Sequence, residues 1–310
     1  MDSEMTDRDL TIRPMRAEDE PVWRQLWAAY LAYYETTLPE EVYGTTFARL
    51  RSGAPREFSG LLAVRNGVPV GLVHYLFHPS SWSQGDVCYL QDLFTLPQAR
   101  GTGVARALIG AVYAAADAAG AAPVYWFTQD FNATARRLYD RIGGLTPFMR
   151  YNRRFADATP LPAGAAIRPV VAADEADWRR LWADYLTFYQ TDLPEEVTAG
   201  TFARVIADDP ATMRARLLTV DGHPAGLVQF VPHRSCWKVE NVCYLQDLYA
   251  DPGLRGRGLG RALIEAVYAE ADRIGAPAVY WLTATSNSTA RLLYDRVGQP
   301  TPFVQYERMP

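Results

Sequence analysis

The residues best suited to chemistry lie where a strand, a glycine-rich turn and a helix follow one another, and this arrangement occurs twice. The first copy contains Arg100-Gly-Thr-Gly-Val-Ala105, and the second contains Arg255-Gly-Arg-Gly-Leu-Gly260. Glycines at such a turn allow the backbone to approach a ligand closely, and the following helix begins with free amide N–H groups. Together these features favour the binding of a phosphate group.

Two common phosphate-binding patterns do not fit these turns. A Walker loop requires a lysine after its second glycine, and the only lysine of the chain is Lys238. A dinucleotide-binding loop requires Gly-x-Gly-x-x-Gly after the first strand, but its last position here is Arg106 or Arg261. The pattern that both copies satisfy is Arg-x-x-Gly-x-Gly/Ala, at Arg100, Gly103, Ala105 and at Arg255, Gly258, Gly260.

The turns belong to a repeat that covers most of the chain. Residues 12–151 align without gaps to residues 167–306, and more than half of the aligned pairs are identical. A repeat of this length is the size of a domain and too long for a solenoid unit. We therefore predict one domain at 9–155 and a second at 166–310, joined by a linker rich in Pro, Ala and Gly at 156–165.

Each copy predicts the order β-α-α-β-β-β-α-β-α-β, which is an α/β fold with a mixed central sheet flanked by helices. In the first copy we expect strands at 10–15, 60–64, 70–77, 87–95, 123–128 and 148–155. Helices are expected at 18–34, 38–50, 101–119 and 132–142. Asn66-Gly67 predicts a tight hairpin between the second and third strands.

A second shared motif is Asn-x-x-Ala-x-x-Leu-Tyr, which ends at Tyr139 and at Tyr294. With the Arg-x-x-Gly-x-Gly/Ala turn, it resembles the GNAT superfamily of N-acetyltransferases, in which that turn binds the pyrophosphate of acetyl-CoA. The resemblance covers nearly all of each copy. The run Cys-Tyr-Leu-Gln-Asp-Leu at 88–93 and 243–248 looks closest to the yeast-type histone/polyamine and D-amino-acid acetyltransferases.

The resemblance implies the GNAT fold twice, with acetyl-CoA as cosubstrate and direct acetyl transfer to a primary amine of a small molecule, either a polyamine or an amino-acid-like compound. It implies oxyanion stabilisation by a backbone N–H near Leu93 and Leu248, and pantetheine contacts from Asn132 and Asn287. The cofactor residues implied for the first copy are Leu93, Phe94, Thr95, Arg100, Gly101, Thr102, Gly103, Val104, Ala105 and Asn132. Those implied for the second copy are Leu248, Tyr249, Ala250, Arg255, Gly256, Arg257, Gly258, Leu259, Gly260 and Asn287.

The same resemblance implies that Tyr139 and Tyr294 protonate the leaving thiolate, although a phenol on an amphipathic helix also suits core packing. The base remains open. An amine is mostly protonated at neutral pH and must lose a proton before attack. Polyamine-type relatives use a glutamate where this chain has Gln91 and Gln246. Asp92 and Asp247 are the candidates for base or ammonium anchor, with a water relay or a deprotonated substrate as alternatives.

Alternation along a strand predicts that Gln91 and Asp92 face opposite sides of the sheet, so an Asp92 pointing away from the cleft would be structural. By resemblance, the first two helices wall the acceptor pocket. The candidate acceptor residues are Tyr30, Tyr34, Glu40 and Gln91 in the first copy and Tyr185, Tyr189, Glu195 and Gln246 in the second. For the glutamates the alternative is a solvated helix start. For Trp23 and Trp27 on the same helical face we favour a place in the core.

His-x-Ser-x-Trp recurs at 78–82 and 233–237, and it either lines the acceptor entrance or forms a self-contained turn. The three cysteines form no Cys-x-x-Cys pair and the four histidines are scattered, so we expect neither a disulfide framework nor a metal site. Cys88 and Cys243 are expected to be buried in strands. The net charge of −4 argues against nucleic acid as a partner, and no apolar run is long enough for a membrane span.

The first residues lack the pattern of a signal peptide, so we expect a cytoplasmic protein. Because single-domain relatives pair as homodimers, we also expect a monomer in which the two copies form an internal pseudo-dimer. Two other functions remain open from the sequence. One is protein-lysine acetylation, and the other is non-catalytic sensing of acyl-CoA with one or both copies inactive.

Overall fold

A computed structural model describes residues 10–121, 123–156, 158–207, 209 and 212–309. The predicted domain boundaries at residues 9 and 310, and residue 157 of the predicted linker, lie outside this part of the chain. Residues 158–164 contain neither helix nor strand, and the first strand of the second half begins at Ala165.

The first half follows the predicted order of elements. Its strands are β1 (Leu10–Pro14), β2 (Ser59–Arg65), β3 (Val68–His78), β4 (Val87–Thr95), β5 (Val124–Gln129) and β6 (Gly144–Arg153). Its helices are α1 (Glu20–Tyr33), α2 (Glu40–Ser52), α3 (Val104–Ala118) and α4 (Ala133–Ile142). Asn66 and Gly67 both adopt positive φ, +50° and +77°, as a two-residue hairpin turn requires.

The second half repeats these elements. Its strands are β7 (Ala165–Pro169), β8 (Arg214–Val220), β9 (His223–His233), β10 (Val242–Ala250), β11 (Ala278–Ala284) and β12 (Gly298–Glu307). Its helices are α5 (Glu175–Phe188), α6 (Glu195–Ile206), α7 (Leu259–Arg273) and α8 (Ser288–Val297).

The strands form one continuous sheet in the order β1-β2-β3-β4-β5-β12-β6-β11-β10-β9-β8-β7. β4 with β5 and β10 with β11 are parallel pairs, and the other neighbours are antiparallel. Helices pack against the sheet through apolar faces. Trp23 and Trp27 of α1 are fully buried there, as predicted, and so are Cys88 and Cys243. The predicted mixed α/β fold is confirmed.

The two halves exchange their last strands. β12, the last strand of the second half, pairs with β5 of the first half, and β6 of the first half pairs with β11 of the second. The ring of Tyr306 on β12 stacks on Trp126, with centroids 5.9 Å apart. Tyr151 on β6 stacks in the same way on Trp281, at 5.6 Å. Each half therefore contributes a buried aromatic ring to the core of the other half.

The halves also exchange two loops, which we call the crossing loops: residues 79–86 between β3 and β4, and residues 234–241 between β9 and β10. The Thr46 hydroxyl of α2 donates a hydrogen bond of 2.8 Å to the carbonyl oxygen of Cys236. Its counterpart Thr201 donates to the carbonyl oxygen of Ser81 at 3.1 Å. Each crossing loop thus lies against the helices of the opposite half.

Among the described residues, no helix combines the length and the apolar character needed to cross a bilayer.

Candidate active site

A cleft opens where β4 and β5 separate. β4 pairs with β5 only over residues 88–90, whereas its pairing with β3 continues to Thr95. Beyond Leu90 the edge of β4 that faces β5 therefore carries backbone groups that no strand pairs. The cleft there has a volume of about 800 Å³, and we call it site 1. β10 separates from β11 after Leu245 in the same way, and we call that region site 2.

The glycine-rich turn lies at one end of site 1. Gly101 and Gly103 have φ of +76° and +86°, a conformation that residues with a Cβ adopt only with strain. α3 begins directly afterwards at Val104, so its free N–H groups lie at the cleft. This is a suitable geometry for a phosphate group.

Most of the predicted cofactor residues of the first copy line the cleft: Leu93, Phe94, Thr95, Arg100, Gly101, Gly103, Val104, Ala105 and Asn132. Thr102 does not. Its hydroxyl donates to the carbonyl oxygen of Ala99 at 2.7 Å and accepts from Nη1 of Arg65 at 2.6 Å, so it holds the turn against β2.

The cleft also contains three arginines that the sequence analysis did not select: Arg106, Arg137 and Arg141. Arg106 lies in the first turn of α3. Arg137 and Arg141 are four residues apart on α4, so they lie on one face of that helix. The spacing of Arg137 and Arg141 in the helix after Asn132 is the feature of the sequence that could have identified them.

In site 2 the predicted cofactor residues occupy equivalent places, and the difference from site 1 is that the predicted linker lies nearby. Leu248, Tyr249 and Ala250 end β10, and Leu259 and Gly260 begin α7, after a turn in which Gly256 and Gly258 have φ of +79° and +81°. The predicted linker touches this turn and the helix that follows it. Arg257 Nη2 donates to the carbonyl oxygen of Ala163 at 3.1 Å, and the Thr159 hydroxyl donates to Glu265 at 2.9 Å.

Tyr139, the predicted acid, lies on α4 and contributes to the wall of site 1. Its ring contacts Trp126 at 5.4 Å and Tyr306, from the other half, at 5.5 Å. Tyr294 has the same surroundings in site 2, between Trp281 and Tyr151. Burial raises the pKa of both phenols above 10, so both carry a proton at neutral pH.

Asn132 and Asn287 have local partners as helix caps. Oδ1 of each accepts a hydrogen bond of 3.3 Å from a backbone N–H three residues later, at Ala135 and Ala290. Nδ2 of Asn132 donates to Thr128 at 3.3 Å. The described contacts therefore place both asparagines at the start of their helices, and the pantetheine contact stays a prediction.

The prediction that Gln91 and Asp92 face opposite sides of the sheet is wrong. The register of β4 against β3 shifts by one residue between Leu90 and Asp92, because a β-bulge interrupts the alternation. Both side chains therefore reach the crossing loop of the other half. Gln91 Nε2 donates to Ser235 Oγ at 3.0 Å, and Asp92 Oδ1 accepts from Trp237 Nε1 at 2.7 Å.

Asp92 is only 1% exposed. His74 Nδ1 is 2.9 Å from Oδ2 of Asp92, and Nε2 of the same imidazole accepts a hydrogen bond of 2.9 Å from Trp23 Nε1. Contrary to the expectation of scattered histidines, His74 lies beside Asp92 and Cys236, with potential metal-ligand atoms within 4.8 Å of one another. Both imidazole nitrogens already have hydrogen-bond partners, so the cluster is satisfied as a hydrogen-bond network.

Asp247 has a different set of neighbours in site 2, because Gln229 replaces the imidazole. Gln229 Nε2 donates at 3.0 Å and Trp82 Nε1 at 2.9 Å, and Ser81 Oγ also donates. Burial raises the pKa of Asp247 from 3.8 to about 6, and these hydrogen bonds oppose that rise. The same register shift brings Gln246 to the crossing loop, where Nε2 donates to Ser80 Oγ at 2.8 Å.

The acceptor end of site 1 is lined by phenols. Tyr30, Tyr33 and Tyr34 all line the cleft, and the rings of Tyr30 and Tyr34 are 5.2 Å apart. Their counterparts Tyr185 and Tyr189 are 5.0 Å apart.

The two predicted glutamates are not brought to these phenols. Glu40 pairs with Arg24 at 2.9 Å and Glu195 pairs with Arg179 at 3.0 Å, each at the exposed start of a helix.

This geometry agrees with the comparison of the chain with known families. Residues 22–144 and 176–299 both match the acetyltransferase (GNAT) family. The chain belongs to the GNAT family. It is an acetyl-CoA-dependent N-acetyltransferase with two tandem copies of the GNAT domain.

Individual GNAT relatives extend the comparison. Over 145 residues of the N-terminal half, 46% of this chain and 89% of the relative, it is 41% identical to the D-amino-acid N-acetyltransferase HPA3 of Saccharomyces cerevisiae. It is 28% identical to a mycothiol acetyltransferase of Actinosynnema mirum, over 81% of this chain and 82% of that protein. The fold resembles a GCN5-related N-acetyltransferase of Sphaerobacter thermophilus, with a TM-score of 0.59, 17% identity and coverage of 96% and 95%.

Proposed function

We propose that this acetyltransferase acetylates the primary amine of a small, amino-acid-like molecule by direct transfer from acetyl-CoA. The observation that carries the proposal is the cleft between β4 and β5. It has the phosphate-binding turn at one end, the phenols and Gln91 at the other, and Tyr139 in its wall. A cofactor with its pyrophosphate on the turn would extend along the unpaired edge of β4 toward the phenols.

In the proposed step, the amine nitrogen attacks the acetyl carbonyl carbon and the carbon–sulfur bond of the thioester breaks. A backbone N–H on the free edge of β4, near Leu93, stabilises the oxyanion, as its counterpart near Leu248 does in site 2. The thiolate of CoA takes the proton of Tyr139 or Tyr294. A buried phenol suits this role because it remains protonated at neutral pH.

The ammonium proton of the acceptor requires a base that the cleft does not expose directly, because Asp92 is almost fully buried. Tyr30 and Tyr34 line the cleft, and both rings contact Trp237, whose Nε1 donates to this carboxylate. Burial and the negative charge of Asp92 both raise the pKa of Tyr30. We propose that Asp92 accepts the proton through this pair of phenols, and that Asp247 does so through Tyr189 and Tyr185.

The charges of the cleft disfavour a polyamine as the acceptor. Four of the described residues that line site 1 are arginines, and none is an aspartate or glutamate. The second ammonium group of a polyamine would find no carboxylate along that wall. The D-amino-acid activity named for the yeast relative supports an amino-acid-like acceptor.

The test is a panel of amines incubated with purified protein and acetyl-CoA, with CoA thiol release as the readout. The panel contains D- and L-amino acids, spermidine and a lysine-containing peptide. We expect kcat/KM for the best amino acid to exceed that for spermidine by at least tenfold. A preference for spermidine or for the peptide would refute the acceptor class. Tight acetyl-CoA binding without thiol release from any amine would refute turnover and support a sensor.

Two charge reversals assign the activity to each site. Arg100→Glu places a negative charge at the turn of site 1, and Arg255→Glu does so at site 2. Each variant is expected to weaken acetyl-CoA binding at its own site, measured by calorimetry, and the double variant is expected to lose turnover. In the Arg255→Glu background, Tyr139→Phe should lower kcat at least tenfold with little change in acetyl-CoA affinity.

A further inference from the structure

The feature that the proposed mechanism leaves unexplained is the presence of a crossing loop at each acceptor end. Residues 234–241 belong to the second half by sequence, yet Cys236 and Trp237 bond Gln91 and Asp92 of the first half. Residues 79–86 belong to the first half, yet Ser81 and Trp82 lie beside Asp247. The carboxylate of each half is therefore bonded by side chains of the other half.

We propose that Trp237 is a positioning residue for site 1 and that Trp82 is one for site 2, so that each half completes the acceptor end of the other. This inference rests on the proposed role of Asp92 and Asp247 in taking the proton of the acceptor. Neither tryptophan is placed against the reacting atoms themselves. Each acts through the carboxylate that its indole N–H holds.

The contacts of Trp237 support this role in two ways. Its Nε1 donates 2.7 Å to Oδ1 of Asp92, and a donor to a buried carboxylate is costly to remove. Its ring makes edge contacts with Tyr30 at 6.0 Å and Tyr34 at 5.6 Å, two of the phenols that line the cleft. One side chain therefore fixes both the carboxylate and the phenols of the proposed proton path.

Trp82 makes the equivalent contacts in site 2. Its Nε1 donates 2.9 Å to Oδ1 of Asp247, and its ring lies 6.1 Å from Tyr185 and 5.9 Å from Tyr189. The repetition matters because the other donors differ between the sites. His74 bonds the second oxygen of Asp92, whereas Gln229 bonds that of Asp247. The tryptophan from the opposite half is the shared element.

Hydrogen bonds, together with an ion pair for residues 234–241, also anchor the crossing loops to the halves whose sites they complete. Arg49 Nη2 donates to the carbonyl oxygen of Val239 at 2.8 Å, and Arg234 pairs with Glu57 at 2.8 Å. On the opposite side, Arg204 donates to the carbonyl oxygens of Ser80 and Ser83, both at 2.9 Å. An indole carried by such a loop can hold a carboxylate in one position.

The experiment uses the full chain with one site silenced at a time. Trp237→Phe, which keeps a ring but removes the N–H donor, is placed in the Arg255→Glu background, where only site 1 turns over, and in the Arg100→Glu background, where only site 2 does. We expect kcat of site 1 to fall at least tenfold with KM for acetyl-CoA within twofold. The loss at site 1 should exceed the loss at site 2 at least fivefold. Trp82→Phe should give the opposite ranking.

A double-mutant cycle separates positioning from a general structural effect. If Trp237 acts through Asp92, Trp237→Phe should lower kcat less than twofold once Asp92→Asn is present. Thermal unfolding of each variant checks that the Phe substitutions keep the fold.

Equal losses at the two sites, or full additivity with Asp92→Asn, would overturn the positioning role while leaving the acetyltransferase proposal intact. Absence of turnover in the unsubstituted chain with every amine would refute both.

Discussion

Removing the ring of Tyr306 should destabilise the half of the protein to which that residue does not belong by sequence. Tyr306 is fully buried, stacks on Trp126 and contacts Tyr139, all through the exchange of β12 into the first half. Truncating a buried aromatic residue to alanine typically costs 3–5 kcal/mol. The phenol oxygen adds little to this loss, because its partner Asp140 is exposed and can bind water instead.

We therefore expect Tyr306→Ala to lower the free energy of unfolding by about 4 kcal/mol. For a chain of this length the corresponding fall in Tm is about 6 °C. The informative assay is hydrogen exchange with mass spectrometry. Peptides from β5 and α4, residues 124–142, should lose protection, whereas peptides from β11 and α8, residues 279–297, should keep it.

The matched control is Tyr151→Ala, because that ring is equally buried and stacks on Trp281 in the second half. It should produce the reverse pattern, with protection lost over residues 279–297. If Tyr306→Ala loosened only residues 279–297, or changed the unfolding free energy by less than 1 kcal/mol, the reasoning from strand exchange would be refuted.

Three further predictions follow from the described geometry. In the Arg100→Glu background, kcat/KM should fall as the pH drops below about 6. The reason is that Asp247 must be deprotonated to accept a proton, and burial raises its pKa to about 6. Asp247→Asn should abolish this acidic limb of the pH–rate profile. Gly103→Ala should destabilise the protein by about 1 kcal/mol, since the φ of Gly103 is +86° although the space around it is open. Gly110→Ala in the middle of α3 should instead stabilise the protein by up to about 1 kcal/mol. Chemical denaturation measures both changes. Light scattering should give the mass of one chain, 34.6 kDa, because the strand exchange between two domains already takes place within one chain; a mass of two chains would contradict this.

The element order and the phosphate-binding turn could be predicted because their signals are local. Asn66-Gly67 specifies its hairpin through positive φ at two adjacent positions. Gly101 and Gly103 specify the turn before α3 because both also adopt positive φ. The motif ending at Tyr139 places that phenol on a short helix that begins after Asn132, as the structure has it.

The strand exchange could not be predicted, because the repeat makes the two pairings indistinguishable by residue type. Tyr151 and Tyr306 occupy the same place in the two copies, and so do Trp126 and Trp281. Each tyrosine would pack equally well on either tryptophan. Only the path of the chain decides between them, and hydrophobic patterning carries no information on that path.

The neighbours of Asp92 illustrate two other limits. A bulge adds one residue to a strand without a visible change in the pattern of apolar residues. The rule that side chains alternate therefore predicted, wrongly, that Gln91 and Asp92 lie on opposite faces. Cys236 and Trp237 come from a loop far along the chain, and their approach depends on how the halves pair. The recurrence of His-x-Ser-x-Trp in both copies was the available signal, and it did not indicate which half the loop would serve.

The exchange of β12 has a consequence for the order of events during synthesis. β5 leaves the ribosome well before β12, and at 5–20 residues per second the delay is roughly 10 to 40 seconds. Throughout that time the edge of β5 lacks the partner β12 that it has in the folded chain, and the core of the first half lacks Tyr306. An open edge invites pairing with another chain. Covalent linkage of the two halves gives the correct strand a high local concentration as soon as it emerges, so synthesis of the ten residues of β12 is the step that closes the first domain.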